Sequence, residues 1–323
     1  MEHNCCDYLL HQIVFDIFDV KPCCEDAKNK ESINLIEGFN GTELNIQEYI
    51  EKRNELISKF QKGETPTACY NCPQIKKKNW NKEDIYFDRI IVANIAKCSC
   101  DCIYCVYTHN NPENKRIFNT RIPYDIKSIL TDLKNKNHIK ENFMLIVGGG
   151  ECTEFDDGLL EWLIYFTISL NGRIQILSSG INYSKAIEKI LQTGKVELII
   201  SPDAGTNSTY KKIKRINKFK NVWKNLEKYV KVSQYNTNSH VEVKYIIIPE
   251  INDSINEFDS FLRMCKKINC KNIHLDIEHF WFAENKEKKF PQNIKNILEY
   301  IKDREKEFNI SFSSETEYWF KTR

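Results

Sequence analysis

The chain has 323 residues, of which 41% are hydrophobic and 28% charged, with a formal net charge of +2. This is the composition of a soluble globular protein, long enough for one large domain with a small one, or for two ordinary domains. The near-neutral charge speaks against a nucleic-acid or acidic-membrane partner, and no apolar run reaches the roughly 18 residues of a spanning helix.

The N-terminal stretch MEHNCCDYLL has neither a basic region nor an apolar secretory core, so the expected compartment is the cytoplasm. Thirteen cysteines are unusual there, because thiols are kept reduced and disulfides are poorly supported. The count is odd and the cysteines cluster, which favours metal or iron–sulfur ligation. Cys265, on the apolar stripe of a predicted helix, and Cys270, just beyond it, read instead as small buried hydrophobes.

Residues 1–84 read as a cysteine-rich N-terminal module. It carries Cys5 and Cys6, then Cys23 and Cys24, then Cys69 and Cys72. Between them the spacing predicts a helix over 46–60, with Ile46, Tyr49, Ile50, Ile57, Phe60 and the stem of Arg53 recurring at three and four. The following KGETPTACYNCPQIKKKNWNKED reads as loop and linker.

From 85 to 323 the pattern becomes regular. DRIIVANI predicts a strand, IPYDIKSILTDL a helix with Ile122, Ile126, Ile129, Leu130 and Leu133 on one face, and FMLIVGG a buried strand closed by glycine. GLLEWLIYFTISL is a helix, RIQILSS a strand, and YSKAIEKILQ a helix capped by Ser184. VELIISPD, FKNVWKNLEKYV and VEVKYIIIP follow as strand, helix and strand. INEFDSFLRMCKKI, NIHLDIE and NIKNILEYIKDREKEF complete the chain as helix, strand and helix. Six strands alternating with helices imply parallel strands joined by crossovers. The length fits an α/β fold, a partial (β/α)6 barrel, whose chemistry sits at the C-terminal ends of the strands.

The stretch NIAKCSCDCIYCVYTHNN therefore lands just after the first barrel strand. Within it, Cys98, Cys102 and Cys105 have the spacing C-x3-C-x2-C. Three thiolates can hold three irons of a [4Fe–4S] cube and leave the fourth iron open. A zinc knot including Cys100, or one shared with Cys69 and Cys72, is the competing reading. Zinc accounts for neither the glycine run after the next strand nor the strand–helix alternation. Cys100 lies outside the motif and reads as a spare loop thiol.

This pattern resembles the radical S-adenosylmethionine (radical SAM) superfamily. Cys98, Cys102 and Cys105 match its cluster motif, Tyr104 supplies the aromatic before the last cysteine, and Asn94 precedes the motif as in relatives. VGGGE, with Gly148, Gly149, Gly150 and Glu151, looks like the glycine-rich segment that meets the methionine end of SAM. SSG, with Ser179, SPDAG, with Ser201 and Asp203, and PEIND occupy places that lie near the ribose or adenine in relatives. The resemblance spans about residues 85 to 280. It implies that the open iron chelates SAM and that one electron cleaves the C–S bond. The 5′-deoxyadenosyl radical so formed abstracts hydrogen from an unactivated carbon, while the protein orients the reactants and excludes water.

Side-chain parity suggests what the substrate meets. His274, Asp276 and Glu278 share one face of their strand, Glu197, Ser201 and Asp203 another, and Glu242 and Lys244 a third. Pointing inward, these sets make a polar cavity suited to a polar or cationic substrate, with Asp276, Glu278 and Lys244 as the expected catalytic residues. The equal alternative is that they pair with one another as lumen salt bridges.

The N-terminal cysteines, CCDYLLHQIVFDIFDVKPCC and then CYNCP, resemble the SPASM or twitch module that binds an auxiliary [4Fe–4S] cluster, although that module usually follows the core. Cys6, Cys24, Cys69 and Cys72 are the implied ligands, with Cys5 and Cys23 as substitutes for the first two. Four thiolates suit zinc as well.

The expected function is C–H activation on a polar peptide, small metabolite or sugar, fed by a reductant such as flavodoxin or ferredoxin. No cobalamin-binding segment is evident. The alternative from another class is a non-catalytic iron–sulfur or zinc protein serving electron transfer or as a scaffold. The basic run KKIKRINKFK at 211–220 could touch nucleic-acid phosphate, but it lacks aromatic stacking partners and reads as a solvated loop and helix start.

Overall fold

In the computed structural model the described residues are 2–16, 19–23, 33–37, 45–70, 72, 74–80, 86–93, 97–105, 125–155, 158–285, 291–304 and 306–312. Asn94, Cys24 and Ile122, singled out from the sequence, lie outside them. The chain divides into two compact units. One comprises Met1–Ala96 with Thr120–Gln175, the other Lys97–Asn119 with Ile176–Arg323.

The first unit holds β1 (His3–Cys5), α1 (Asp7–His11), β2 (Gln12–Phe15), β3 (Val20–Lys21), α2 (Ile46–Gln61), β4 (Lys76–Lys78), β5 (Phe87–Val92), α3 (Ile126–Asn135), β6 (Ile139–Val147) and α4 (Leu159–Ser169). The β2 run QIVF is buried throughout and pairs in parallel with β5, Ile13 opposite Ile90. The first unit thus takes in residues on both sides of 85, because β2 pairs with β5. β5 pairs in parallel with β6, and β1 pairs antiparallel with β4. Helix α2 buries Ile46, Tyr49, Ile50, Arg53, Leu56, Ile57 and Phe60, close to the stripe read from the sequence. Arg53 goes in whole, and its guanidinium donates to the Leu10 carbonyl at 2.8 Å.

A strand β7 (Arg173–Ser178) leads on to α5 (Lys185–Leu191), β8 (Val196–Ile200), α6 (Asn207–Lys214), α7 (Phe219–Ser233), β9 (His240–Ile247), α8 (Ile255–Lys267), β10 (Asn272–Ile277), α9 (His279–Asn285), α10 (Gln292–Lys302) and β11 (Asn309–Phe312). In the second unit β8, β9, β10 and β11 run parallel in that order. The six expected strands are β5 to β10. Strand β11, α9 and the separate helix α6 were not read from the sequence. Side-chain caps start the helices: Ser184 accepts from Ile187 N, Thr206 from Thr209 N and Ser254 from Glu257 N. Each satisfies an N–H that the helix itself leaves unpaired.

Behind this sheet the core is aromatic. Tyr245 meets Phe258 at 5.2 Å and Phe261 at 4.7 Å between ring centroids, and Phe261 meets Trp223 at 5.9 Å. Phe258, Phe261 and Tyr245 are fully buried, and Cys265 and Cys270 lie inside as the small hydrophobes expected. No described helix is long and apolar enough to cross a membrane. Replacing Phe258 by alanine opens a cavity between β9 and α8. Urea unfolding is expected to show a loss of about 3–5 kcal/mol.

Candidate active site

The cysteine loop belongs to the second unit, and the end of a helix holds it. The last carbonyls of α6 have no partner within the helix. Asp101 N donates to Lys214 O at 3.1 Å and Ile103 N to Ile213 O at 3.0 Å. A turn follows in which Cys105 N reaches Cys102 O at 3.1 Å. Arg215 ends the helix in the left-handed region, φ 55°, and its guanidinium meets Asp101 at 3.4 Å.

Cys98, Cys102 and Cys105 are half-buried on this loop, while Cys100 is buried beneath them. Cys100, read from the sequence as a spare loop thiol, is hydrogen-bonded to both Cys98 and Cys102. The Cys102 bond draws its pKa down, but the Cys98 bond and burial together push it up to about 12. Cys102 lies well above the usual thiol range, first because of its bond to Cys100 and then by burial. Thiols so placed stay protonated until a metal displaces the proton. The donor set is entirely soft sulfur, which suits an iron–sulfur cluster or zinc and not a hard cation.

Beneath the loop lies a buried polar group. Lys214 Nζ donates to Asp203 Oδ2 and to the Tyr104 hydroxyl, each at 2.5 Å, and Tyr104 in turn donates to the same Asp203 oxygen at 2.5 Å. The Lys214 and Asp203 side chains are 3% and 0% exposed. Burial alone would lower the lysine pKa, but Asp203, followed by Cys102 and Tyr104, raises it well above the ordinary value. Burial, followed by the Asp203 charge, keeps the Tyr104 phenol protonated. The other Asp203 oxygen accepts from Ile246 N at 2.9 Å. Asp203, expected near the SAM ribose or adenine, thus engages both oxygens within its own unit.

Asn252, from the PEIND segment, ties these parts together. Its amide donates to Asp203 O at 2.9 Å and Ile246 O at 2.7 Å, and its carbonyl accepts from Ile248 N at 2.6 Å. Ser201 N donates to Ser178 O at 3.2 Å, so the two serine-bearing strand ends lie together. Ser179 and Ser201 are both half-buried.

The inward faces of β8 to β11 carry a chain of polar contacts. Lys244 meets Asp276 at 3.2 Å, with side chains 24% and 25% exposed. Ser311 donates to Glu242 at 2.6 Å, and His274 lies 3.1 Å from Ser311 and 3.8 Å from Glu242. Burial, followed by the Lys244 charge, lowers the His274 pKa and keeps the ring neutral. Ligand atoms of Glu197, His240 and Glu242 lie within 4.8 Å of one another. Glu278, one of the expected catalytic residues, is buried, and its oxygens accept from Phe280 N at 2.9 Å and Trp281 N at 2.7 Å. It serves there as the cap of α9. The basic run at 211–220 departs from the solvated reading, because it contains the end of α6 and its Lys214 points inward.

The glycine-rich segment belongs to the first unit. Gly148 N donates to Val92 O at 2.9 Å, extending the β5–β6 pairing. Gly149 sits at φ +74°, and a Cβ there would fall 2.0 Å from the Ala93 carbonyl oxygen. Close backbone packing alone therefore demands glycine. Gly150 also has positive φ, at 145°. Glu151 is buried and accepts from Thr153 N at 3.1 Å and Thr153 Oγ1 at 2.7 Å, capping a short 3-10 turn.

The N-terminal cysteines gather in this unit too. Cys5, Cys6 and Cys69 are buried, and Cys23 and Cys72 half-buried. Cys6 Sγ accepts from Leu9 N at 3.3 Å at the start of α1. Burial pushes the Cys6 thiol up to about 12, with Cys5, Cys69 and Cys72 adding to the shift. Burial likewise lifts Cys69 to about 12, with Cys23, Cys72 and Cys5 contributing.

A profile of the radical SAM superfamily matches residues 95–265, more than half of the chain. Among solved structures, the fold is similar to that of SuiB from Streptococcus suis bound to the precursor peptide SuiA. That likeness has a TM-score of 0.52 and 14% identity, over 88% of this chain and 57% of that one. A second structure of SuiB from the same organism gives 0.51 and 13%, over 93% of this chain and 70% of that one. The chain thus spans little more than half the length of the peptide-bound relative. A search of curated proteins returned no match.

Asn252→Ala would strip partners from the buried Asp203 O and Ile248 N and from the half-buried Ile246 O. A loss on the order of 3 kcal/mol is expected in chemical unfolding.

Proposed function

The chain belongs to the radical SAM superfamily, and we propose that its Cys98, Cys102 and Cys105 hold a [4Fe–4S] cluster at which SAM is bound and cleaved for hydrogen abstraction from a polar substrate. The observation that carries this reading is the all-thiol C-x3-C-x2-C loop bound by its backbone to the end of α6, inside the matched region. When bound, the cluster and SAM supply the reductive C–S cleavage that yields methionine and a 5′-deoxyadenosyl radical.

The protein's own part is binding and orientation. Tyr104, hydrogen-bonded at its hydroxyl, fixes the loop between Cys102 and Cys105. Gly148, Gly149 and Gly150 offer a side-chain-free backbone edge to the methionine end of SAM, and Ser179 and Ser201 offer hydroxyls to its nucleoside end. Lys244 and Asp276 form the partly exposed charged pair on the inward face and are proposed to meet the substrate. Glu278 and Asp203 are engaged in holding the fold, which leaves them supporting roles.

A peptide substrate is supported by the likeness to SuiB, whose structure holds a precursor peptide. A small polar metabolite suits the same charged pair. The N-terminal cysteines are proposed to bind an auxiliary centre through Cys6, Cys69 and Cys72 with Cys23 or Cys24, as in SPASM or twitch modules, with electrons drawn from a flavodoxin or ferredoxin in the cytoplasm.

Anaerobic reconstitution with iron and sulfide, then dithionite and SAM, is expected to give 5′-deoxyadenosine from the wild type. The Cys98/Cys102/Cys105 triple alanine variant is expected to give none and to keep about four irons. Zinc in place of iron, with no nucleoside, would return the protein to a metal-stabilised binding or electron-transfer role. Asp276→Ala is expected to abolish substrate turnover while iron content and SAM cleavage persist. Loss of the iron as well would assign Asp276 to the fold instead.

A further inference from the structure

The reading of the cysteine loop as a cluster site leaves one buried group without a task. Lys214 is a primary amine with its side chain 3% exposed, on a helix whose other lysines face solvent. Burying an ammonium costs several kcal/mol unless it is paired and hydrogen-bonded. Here Asp203 and Tyr104 supply the partners, and the backbone of the same residue holds Asp101 of the cysteine loop. One residue therefore grips the loop at its main chain and places a positive charge under it.

Resting on the proposed function, we infer that Lys214 is a positioning residue for the cluster: it fixes the cysteine loop and raises the reduction potential of the metal centre held by Cys98, Cys102 and Cys105. An iron–sulfur cube with thiolate ligands becomes more negative when it accepts an electron. A fixed cation close by favours the reduced form, and the interaction is screened little in a site from which water is excluded. Asp203 works against this, as a counter-charge on the same ammonium. The second Asp203 oxygen is turned to Ile246 N on β9, whereas the ammonium belongs to the residue whose own carbonyl holds the cysteine loop. The carboxylate is thus anchored on β9 and the ammonium on the residue that seats the loop.

The arrangement carries a second consequence. Tyr104 stands between Cys102 and Cys105 in sequence, and its hydroxyl bridges the ammonium and the carboxylate. The spacing within the cysteine motif is thereby coupled to β9, because Asp203 also accepts from Ile246 N. The inference concerns iron retention and electron affinity, and both can be read without turnover.

The test uses the full chain, reconstituted anaerobically, and an EPR redox titration against mediators. The signal missing from the Cys98/Cys102/Cys105 variant identifies the loop cluster. Lys214→Met is expected to lower the reduced-to-oxidised ratio at a fixed poise about tenfold, which for one electron is about 59 mV, with Lys214→Arg close to the wild type. Asp203→Asn keeps the lysine and the side-chain shape, and is expected to move the ratio the other way. A wild-type ratio in Lys214→Met at full iron content overturns the inference. Should Lys214→Met hold no cluster, an unchanged or lowered ratio in Asp203→Asn overturns it instead. A wild type that binds no iron overturns the cluster reading itself, and this inference with it.

Discussion

A buried ammonium has to find an anion, and the arrangement of the second unit follows from where Lys214 finds one. Asp203 lies after β8 and Lys214 ends α6, so their pairing ties the end of that helix to the end of the strand. The free carbonyls of the helix end then become the seat of the cysteine loop. A buried ion pair adds little net stability compared with apolar residues of the same shape. Its value here is geometric. An apolar substitute could fill the space but could not hold Tyr104, Ile246 and the loop to one carboxylate.

The same logic separates the acidic residues into two groups. Asp203, Glu151 and Glu278 are buried, and each accepts from backbone N–H groups at the end of a strand or the start of a helical turn. A carboxylate so engaged fixes main chain and offers little to a ligand. Asp276 differs, because its partner is the Lys244 side chain and a quarter of it reaches solvent. Parity along the strands placed Asp203, Asp276 and Glu278 inward. Parity cannot tell a capping carboxylate from a reachable one, since that depends on what the chain does two or three residues later.

The alternation of strands and helices was legible because the strands are short apolar runs closed by Gly, Pro or Asp and the helices carry clear apolar stripes. The C-x3-C-x2-C spacing of Cys98, Cys102 and Cys105 was legible because spacing is a local property. The role of Lys214 was hidden for the opposite reason. KKIKR reads as a solvated basic run, and only the fold brings Asp203 and Tyr104 to one lysine of it, the latter 110 positions away in sequence. Strand β2 was missed because QIVF is four residues long and flanked by cysteines, so composition outweighed its apolar run. Gly149 was picked out on a ligand argument, yet the Ala93 carbonyl alone already excludes a side chain there.

The two cysteine populations differ in how they are held. The Cys98–Cys105 loop is fixed by backbone bonds to a helix end, and its motif thiols are partly exposed, as a site that must admit a cofactor requires. The N-terminal set is packed inward, with Cys5, Cys6 and Cys69 buried and their pKa values raised mainly by burial. Several protonated thiols crowded in an apolar interior contribute little to a core that leucine would fill better. A soft metal changes this balance, because ligation removes the protons and turns the crowding into coordination. The burial that makes these thiols poor nucleophiles also suits a closed centre with four protein ligands, one that passes electrons and admits no substrate.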